Sequence, residues 1–360
     1  MADYTTIDDP SEYFQTKIWT GNATSRTIDL DSNSTMQPDF SWVKTRSETH
    51  THYLQDSTSG TTKYLRSQMS AAQQTSSGPI TYNSTGFGVG SGDEPNTDGA
   101  TVVGWFWKAN GGTRTTFTES GANPGGGYQV NTTAGFSIVD YTGTGSAGTV
   151  SHGLTAKPEF IIVKRLDGTA DWNIYHAANT SEPETEYLRF TTANTSDVTT
   201  WNDTAPTTSV FSVSDDSAVN GNDNTYIAFC WASKQGYSKF GKYEGTGHPS
   251  GPFIYTGFKP ALILIKNIDN SGWNWAAIDN ARTPFNGEGV AEWLWPDLNN
   301  AEFTDTDSGI DMDLDMLSNG FKITTERDEL NLGSTFVYMA FAEQPFVTST
   351  DTNSIPATAK

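Results

Sequence analysis

Closely spaced carboxylates in the last third of the chain are the residues whose spacing most readily suggests chemistry. Aspartate occupies positions 305, 307, 311, 313 and 315, and alternate residues of a strand share one face, where mutual repulsion favours solvent or a bound cation. Asp305-x-Asp307-x-Gly309 resembles the start of a Ca²⁺ loop, although the distal Glu of an EF-hand is missing. A solvated acidic loop is the first interpretation, Ca²⁺ binding by Asp305, Asp307, Asp311 and Asp313 the second, and a catalytic carboxylate pair the third.

Tryptophans beside polar residues form the second group of candidates. An indole face packs against the C–H face of a pyranose, and adjacent amides or carboxylates bond its hydroxyls. The richest segments predict a glycan site at Trp293, Trp295, Trp201 and Asn202. For Trp273 and Trp275, which occupy alternate positions, the competing interpretation is that both rings fill a core.

Other arrangements typical of enzymes are weak. The glycines between 121 and 127 are followed by no Lys-Ser/Thr pair, so they do not indicate a phosphate loop. His50 and His52 would share one face of a strand, but no third metal ligand is near. The single Cys230 lies in an apolar strand, which does not activate a thiol. We predict a protein that is not an enzyme and has no cofactor, with Ca²⁺ as the only candidate.

Charge excludes two classes of partner. The formal net charge of −21 repels nucleic acid and anionic membranes. The apolar runs are too short to span a bilayer. We therefore expect neither nucleic-acid binding nor membrane insertion. Because the first residues are acidic and do not resemble a secretory signal, and because the chain has a single Cys, we expect synthesis in a reducing cytoplasm.

A strand that follows a Pro and ends in Lys occurs three times, at 37–44, 157–164 and 259–266. Each copy is followed by a second strand, a Tyr/Trp-Leu pair and a closing aromatic strand, at 101–107, 225–231 and 335–341. The repeat is domain-sized. Because aromatic residues make up 12% of the chain and helix formers are sparse, the pattern predicts an all-β fold of three related, jelly-roll-like β-sandwich modules in tandem.

The repeat also predicts domain boundaries. We expect an N-terminal docking arm (1–15), unit 1 (16–109), a Gly/Thr-rich linker (110–134), unit 2 (135–235), unit 3 (236–346) and a C-terminal tail (347–360). Features that the units do not share are the place to look for function.

Several longer sequence segments resemble marine tailed-phage (cyanophage-like) virion structural and tail-fibre proteins with repeated β modules. These segments lie at 5–16, 141–148, 201–207, 236–241 and 251–260. The resemblance implies a virion protein on the particle exterior, most simply a tail appendage or fibre component that contacts the host surface. Its expected partners are other virion proteins, further copies of itself and a host-surface glycan. A head-decoration protein is the alternative, and a secreted carbohydrate-binding or polysaccharide-degrading protein is a third interpretation.

Overall fold

Antiparallel strands joined by turns make up almost all of the regular structure, as expected of a chain rich in Thr, Ser and Gly. The computed structural model describes residues 5–76, 80–91, 94–190, 195–196, 199–287, 291–304 and 313–347. Within these residues the only α-helix is the single turn α1 (Asp328–Asn331), beside short 3₁₀ turns at Pro10–Glu12, Glu94–Asn96 and Pro183–Thr185. The prediction of an all-β fold is confirmed.

The strands fall into three successive groups, which we call units 1, 2 and 3. Unit 1 contains β1 (Phe14–Thr20), β2 (Arg26–Asp29), β3 (Phe40–Thr45), β4 (Tyr53–Asp56), β5 (Lys63–Tyr64), β6 (Gln74–Thr75), β7 (Thr81–Asn83), β8 (Gly86–Val89) and β9 (Thr101–Trp107). Unit 2 contains β10 (Thr115–Phe117), β11 (Gly125–Asn131), β12 (Phe136–Thr142), β13 (Gly148–Ser151), β14 (Phe160–Arg165), β15 (Asn173–His176), β16 (Glu186–Tyr187), β17 (Thr195–Ser196), β18 (Val210–Val213) and β19 (Thr225–Trp231). Unit 3 contains β20 (Ser238–Glu244), β21 (Phe253–Tyr255), β22 (Phe258–Asn267), β23 (Ala276–Asp279), β24 (Glu292–Trp293), β25 (Phe303–Thr304), β26 (Leu314–Leu317), β27 (Gly320–Ile323) and β28 (Thr335–Pro345).

The three units repeat one strand order. Their principal sheets run β1-β9-β3-β4, β12-β19-β14-β15 and β20-β28-β22-β23, and the sheet of unit 2 carries β11 and β10 beyond β12. Their smaller sheets run β2-β8-β7, β13-β18 and β21-β27-β26. Pairs of two-residue strands, β5-β6, β16-β17 and β24-β25, complete the correspondence. In each unit the closing aromatic strand therefore lies between the opening strand and the strand that carries the repeated Lys.

Both faces of the principal sheets are buried. Alternate residues of the Lys-bearing strands contribute to a central core that all three units share: Phe40, Trp42, Phe160, Ile162, Leu262 and Leu264. The residues between them, such as Val43, Val163 and Ile265, pack in a separate cluster within their own unit. Each unit is thus a sandwich-like pair of sheets, but its principal sheet also closes a core that no single unit could form.

One end of the central core is filled by an aromatic ring from each unit. Trp107, Trp231 and Phe341 lie at equivalent positions of the closing strands, and each is almost completely buried. The ring centroid of Trp107 is 6.1 Å from that of Trp231 and 5.4 Å from that of Phe341. The three units therefore surround a common point.

At the other end, hydrogen bonds between equivalent positions close a cycle. His52 Nε2 of unit 1 donates to Trp295 O of unit 3 at 2.8 Å. Trp275 Nε1 of unit 3 donates to Arg189 O of unit 2 at 3.0 Å, and Trp172 Nε1 of unit 2 donates to Arg66 O of unit 1 at 3.1 Å. In each unit a residue of the second strand forms an isolated β-bridge with a Leu: Leu54 with Leu65, Ile174 with Leu188, and Ala277 with Leu294. The donor of each hydrogen bond lies two residues before the first member of such a bridge. The acceptor directly follows the Leu of another unit's bridge. The chain thus forms a ring of three units with an approximate threefold arrangement.

Units 1 and 3, which are not consecutive in sequence, are also joined by a buried ion network. The Arg282 side chain is fully buried and pairs with Asp279 at 2.6 Å and with Glu302 at 2.9 Å. Glu302 also pairs with Arg46 of unit 1 at 2.7 Å, and Trp105 Nε1 donates to Asp279 Oδ2 at 2.9 Å. Breaking such a network would leave buried charges without partners. The network therefore stabilises the interface between units 1 and 3, which are not joined directly by the chain.

The Lys of each repeated strand has an architectural role. The Nζ atoms of Lys44, Lys164 and Lys266 donate to backbone carbonyls, Lys44 to Thr45 O at 2.6 Å and Lys164 to Ala170 O at 2.7 Å. Burial lowers the pKa of each amine to about 8. Because the same arrangement occurs in all units, these amines support the fold and do not mark a unit-specific site.

Two segments expected to lie outside the units are built into the fold. In the predicted arm (1–15), Ile7 and Phe14 are buried in the central core, and Thr5 Oγ1 donates to Gln235 O at 2.7 Å. The predicted linker (110–134) contributes β10 and β11 to the sheet of unit 2. Gly126 pairs with Tyr141 in this sheet, and a side chain there is excluded because a Cβ would lie only 2.0 Å from Asp140 O. Of the predicted tail (347–360), all but Val347 lies outside the described residues.

Three histidines are kept neutral by burial, and their hydrogen bonds fit the neutral ring. In His52, His152 and His176, Nδ1 accepts from an N–H group, which leaves the ring proton on Nε2, where it is donated to a carbonyl. Protonation would abolish the acceptor and place a charge in the interior. Burial lowers the pKa of His52 to about 3 and the pKa values of His152 and His176 to about 4.

Replacing His176 with Gln should remove part of the acid sensitivity of the fold. Between the folded pKa of about 4 and the unfolded value near 6.5, the unfolded state binds more protons, so the free energy of unfolding falls as the pH falls. From pH 6.5 to pH 4 this single group accounts for up to about 3 kcal/mol. Urea unfolding of both chains at the two pH values measures the difference. Other titrating groups, such as Asp56 with its pKa raised by burial to about 6, are common to both chains. Equal acid losses in the two chains would contradict the assignment.

Candidate functional site

Two of the tryptophans predicted to stack on sugars are buried, so that prediction is corrected. Trp293 has an exposed fraction of 0% and lies in the core of unit 3, and Trp201 is 2% exposed in the core of unit 2. Trp201 Nε1 donates to Glu186 O at 3.0 Å, and its ring packs edge-on against Tyr175. Both indoles are used in packing because each unit fills its thin core with a few large rings.

The other two predicted glycan residues are more accessible but do not form a stacking surface together. The Trp295 ring is half-buried and packs edge-on against Phe303, 5.8 Å between centroids. Asn202 is exposed in a turn with a positive φ of 52°. It lines a cleft of about 600 Å³ in unit 2 with polar or small residues, among them Ser146, Asp203 and Asp215. The structure therefore divides the four residues between units 2 and 3 and places two of them in cores.

Of the four aspartates predicted to bind Ca²⁺, only Asp313 lies in the described residues. Asp305, Asp307 and Asp311 lie outside the described residues. Asp313 is 3% exposed, and its backbone carbonyl accepts from Thr324 N at 3.1 Å. Among the described residues no group of three His, Cys, Asp or Glu side chains could hold a metal ion.

The other residues considered for chemistry have structural partners. His52 uses both ring nitrogens in hydrogen bonds, and His50 contacts Glu48 at 3.2 Å. These bonds account for the pair without a metal. Cys230 is completely buried, which raises the pKa of its thiol and keeps it protonated.

The strongest candidate surface is the outward face of the smaller sheet of unit 3, which we call the aromatic face. Phe253 and Tyr255 on the edge strand β21 are 47% and 48% exposed, whereas Ile254 between them is buried. Alternate residues of a strand point to the same side, so both rings stand on one face. Large apolar side chains exposed side by side are typical of binding surfaces.

The other two units show that the fold does not require these rings. Ile254 pairs with Phe321, as Val150 pairs with Phe211 in unit 2 and Ile28 with Phe87 in unit 1. This register makes Thr149 and Thr27 the counterparts of Phe253, and Ser151 and Asp29 the counterparts of Tyr255. Polar residues therefore suffice at both positions, and the aromatic pair is specific to unit 3.

Neighbouring strands leave about half of each side chain exposed and add charge. Gly320 lies opposite Tyr255, where a Cβ would come within 2.1 Å of Ile254 O. Lys322 lies opposite Phe253, and Asp315 lies on the far side of Lys322. Lys239 Nζ is 5.5 Å from the centroid of the Tyr255 ring and donates to Tyr255 O at 2.7 Å. The aromatic face thus combines two ring surfaces with two ammonium groups.

This arrangement is suited to binding a ligand that has both apolar and polar groups. Aromatic faces pack against the C–H groups of sugars, and ammonium groups donate to oxygen acceptors. The sequence prediction missed it because Phe253 and Tyr255 are ordinary strand residues when considered alone. Alignment of the three copies of this strand would have shown the substitution of aromatic for polar residues.

The comparisons with known proteins concern the whole ring. Residues 9–345 match a protein family described as a domain of unknown function, DUF7483. The match spans all three units. No curated protein and no solved structure matches the chain. None of the helices in the described residues is long and apolar enough to cross a membrane.

Proposed function

The chain belongs to the DUF7483 family, and from that premise we propose that it is a non-enzymatic virion protein on the exterior of a tailed bacteriophage, most simply a tail appendage component that contacts the host surface. The observation that carries the proposal is the exposed pair Phe253 and Tyr255, which replaces polar residues of the other two units. The resemblance of several sequence segments to tailed-phage virion proteins supports the proposed location on a virion.

Glycan is the host-surface component that this face suits best. Two rings on one strand present flat apolar surfaces to sugar rings, while Lys322 and Lys239 can bond ring substituents. The scaffold beneath is rigid in the sense that Ile254 and Phe321 are buried and paired in the sheet. A preordered surface loses little conformational entropy on binding.

Head decoration is the second candidate function, and the ring of three units favours it. A single chain with an approximate threefold arrangement matches the shape of a threefold position on an icosahedral shell. In either role the partners in this proposal are other virion proteins and further copies of the chain. The two roles differ in location on the particle, which can be observed.

Immunogold labelling of intact particles of the phage that encodes this protein tests the proposal. We expect gold at the tail, on the outside of particles that have not been opened. Label on the head would replace the appendage role by decoration. Particles that carry no label, although the antibody recognises the purified protein, would contradict a virion role altogether.

A further inference from the structure

We infer that the aromatic face binds an acidic saccharide, a glycan chain whose sugars carry carboxylates. This inference rests on the proposed function, because it specifies the ligand of the same face. Its basis is the joint occurrence, in unit 3 alone, of two exposed rings and two cations.

Both cations are specific to unit 3, as the rings are. The strand pairing makes Ser212 and Gly88 the counterparts of Lys322. At the position of Lys239, one residue into the opening strand, units 2 and 1 have Ser137 and Gln15. Neither ring nor cation is therefore needed by the fold, and all four side chains are found together.

Charge complementarity selects an anionic ligand. The chain carries 42 acidic residues against 21 Lys and Arg, so its overall field repels a polyanion. Two ammonium groups beside the rings reduce that repulsion locally over a range of about one Debye length, ~8 Å at physiological salt. Among the described residues, two acidic side chains lie near these ammonium groups: Asp315 is opposite Lys322 on the next strand, and Glu159 of unit 2 interacts electrostatically with Lys239. Lys239 is fixed by its hydrogen bond to Tyr255 O, which holds its charge beside the ring.

The spacing of the rings suits a chain of sugars rather than a single sugar. Residues two apart on a strand are separated by about 7 Å, so Phe253 and Tyr255 can contact neighbouring sugars of an oligosaccharide lying along β21. A Lys lies beside each ring, Lys322 beside Phe253 and Lys239 beside Tyr255. Each stacked sugar can thus have its carboxylate near one ammonium group.

Titration with paired oligosaccharides tests the inference. The probes are hexamers of mannuronate and of galacturonate, each with its carboxyl-reduced neutral counterpart, measured by calorimetry on the full-length protein. We expect at least one uronate hexamer to bind fivefold or more tightly than its reduced form. The preference should disappear in the double variant Lys239→Gln/Lys322→Gln and in 0.5 M salt, as expected of half-buried charges at the surface.

A matched control distinguishes a local effect from net charge. Lys242→Gln removes a charge from an exposed position on the same strand as Lys239, and it should leave the preference intact. Equal binding of acidic and reduced hexamers, an unchanged preference in the double variant, or no binding of any hexamer would overturn the inference. The virion role would stand in those cases, because the location of the protein on particles is measured separately.

Discussion

The variant Trp107→Ala is expected to lose about 3–5 kcal/mol of the free energy of unfolding, as large-to-small substitutions of buried Trp do. Trp107 is 1% exposed and its ring lies beside rings of all three units: Phe14 and Phe40 in unit 1, Trp231 in unit 2 and Phe341 in unit 3. A cavity at this point cannot be closed by adjusting one unit. Thermal and urea unfolding, followed by circular dichroism, measure the loss.

Trp107→Phe is the matched control, because unit 3 itself has Phe341 at the equivalent position. Phe retains most of the buried apolar surface. The indole Nε1 of Trp107 is buried with no hydrogen-bond partner, so its removal breaks no bond. We expect this variant to lose less than about 1.5 kcal/mol. Equal destabilisation by Ala and Phe, or a wild-type midpoint for Ala, would contradict a core shared by three units.

The repeat could be predicted from sequence because local signals define it. Apolar strands between turns, a Pro before each and a Lys at the end, are visible without knowing what they contact. They correctly predict an all-β chain with recurring strands and shared structural Lys residues such as Lys164. Turn chemistry and strand propensity act over a few residues, which is why this part of the fold is accessible.

The shared core was not predictable from the same pattern. In Phe160-Ile161-Ile162-Val163 every residue is apolar, so periodicity cannot tell which side faces the common core and which the unit's own cluster. Nor does a Trp reveal whether it is exposed. Trp293 and Trp201 are core residues, whereas Phe253 and Tyr255, for which the sequence predicts no role, are half-exposed. The strand register identifies their polar counterparts in units 1 and 2.

The double variant Phe253→Thr/Tyr255→Ser is expected to weaken binding to host cells at least tenfold. It gives unit 3 the outward residues that unit 2 has at Thr149 and Ser151, so the fold should tolerate it. Aromatic residues at the centre of a binding surface commonly contribute 1 kcal/mol or more each, and 1.4 kcal/mol is a tenfold change in Kd. Ile18→Ser is the control, since Ile18 is similarly exposed, at 43%, on a strand of unit 1.

The most direct test of the account is the equilibrium binding of fluorescently labelled full-length protein to intact cells of the bacterium that the phage infects. We predict saturable binding by the wild type and by Ile18→Ser, and at least tenfold weaker binding by Phe253→Thr/Tyr255→Ser with an unchanged unfolding midpoint. Wild-type affinity in the double variant, or no binding by the wild type, would contradict the claim that the aromatic face of unit 3 contacts the host surface.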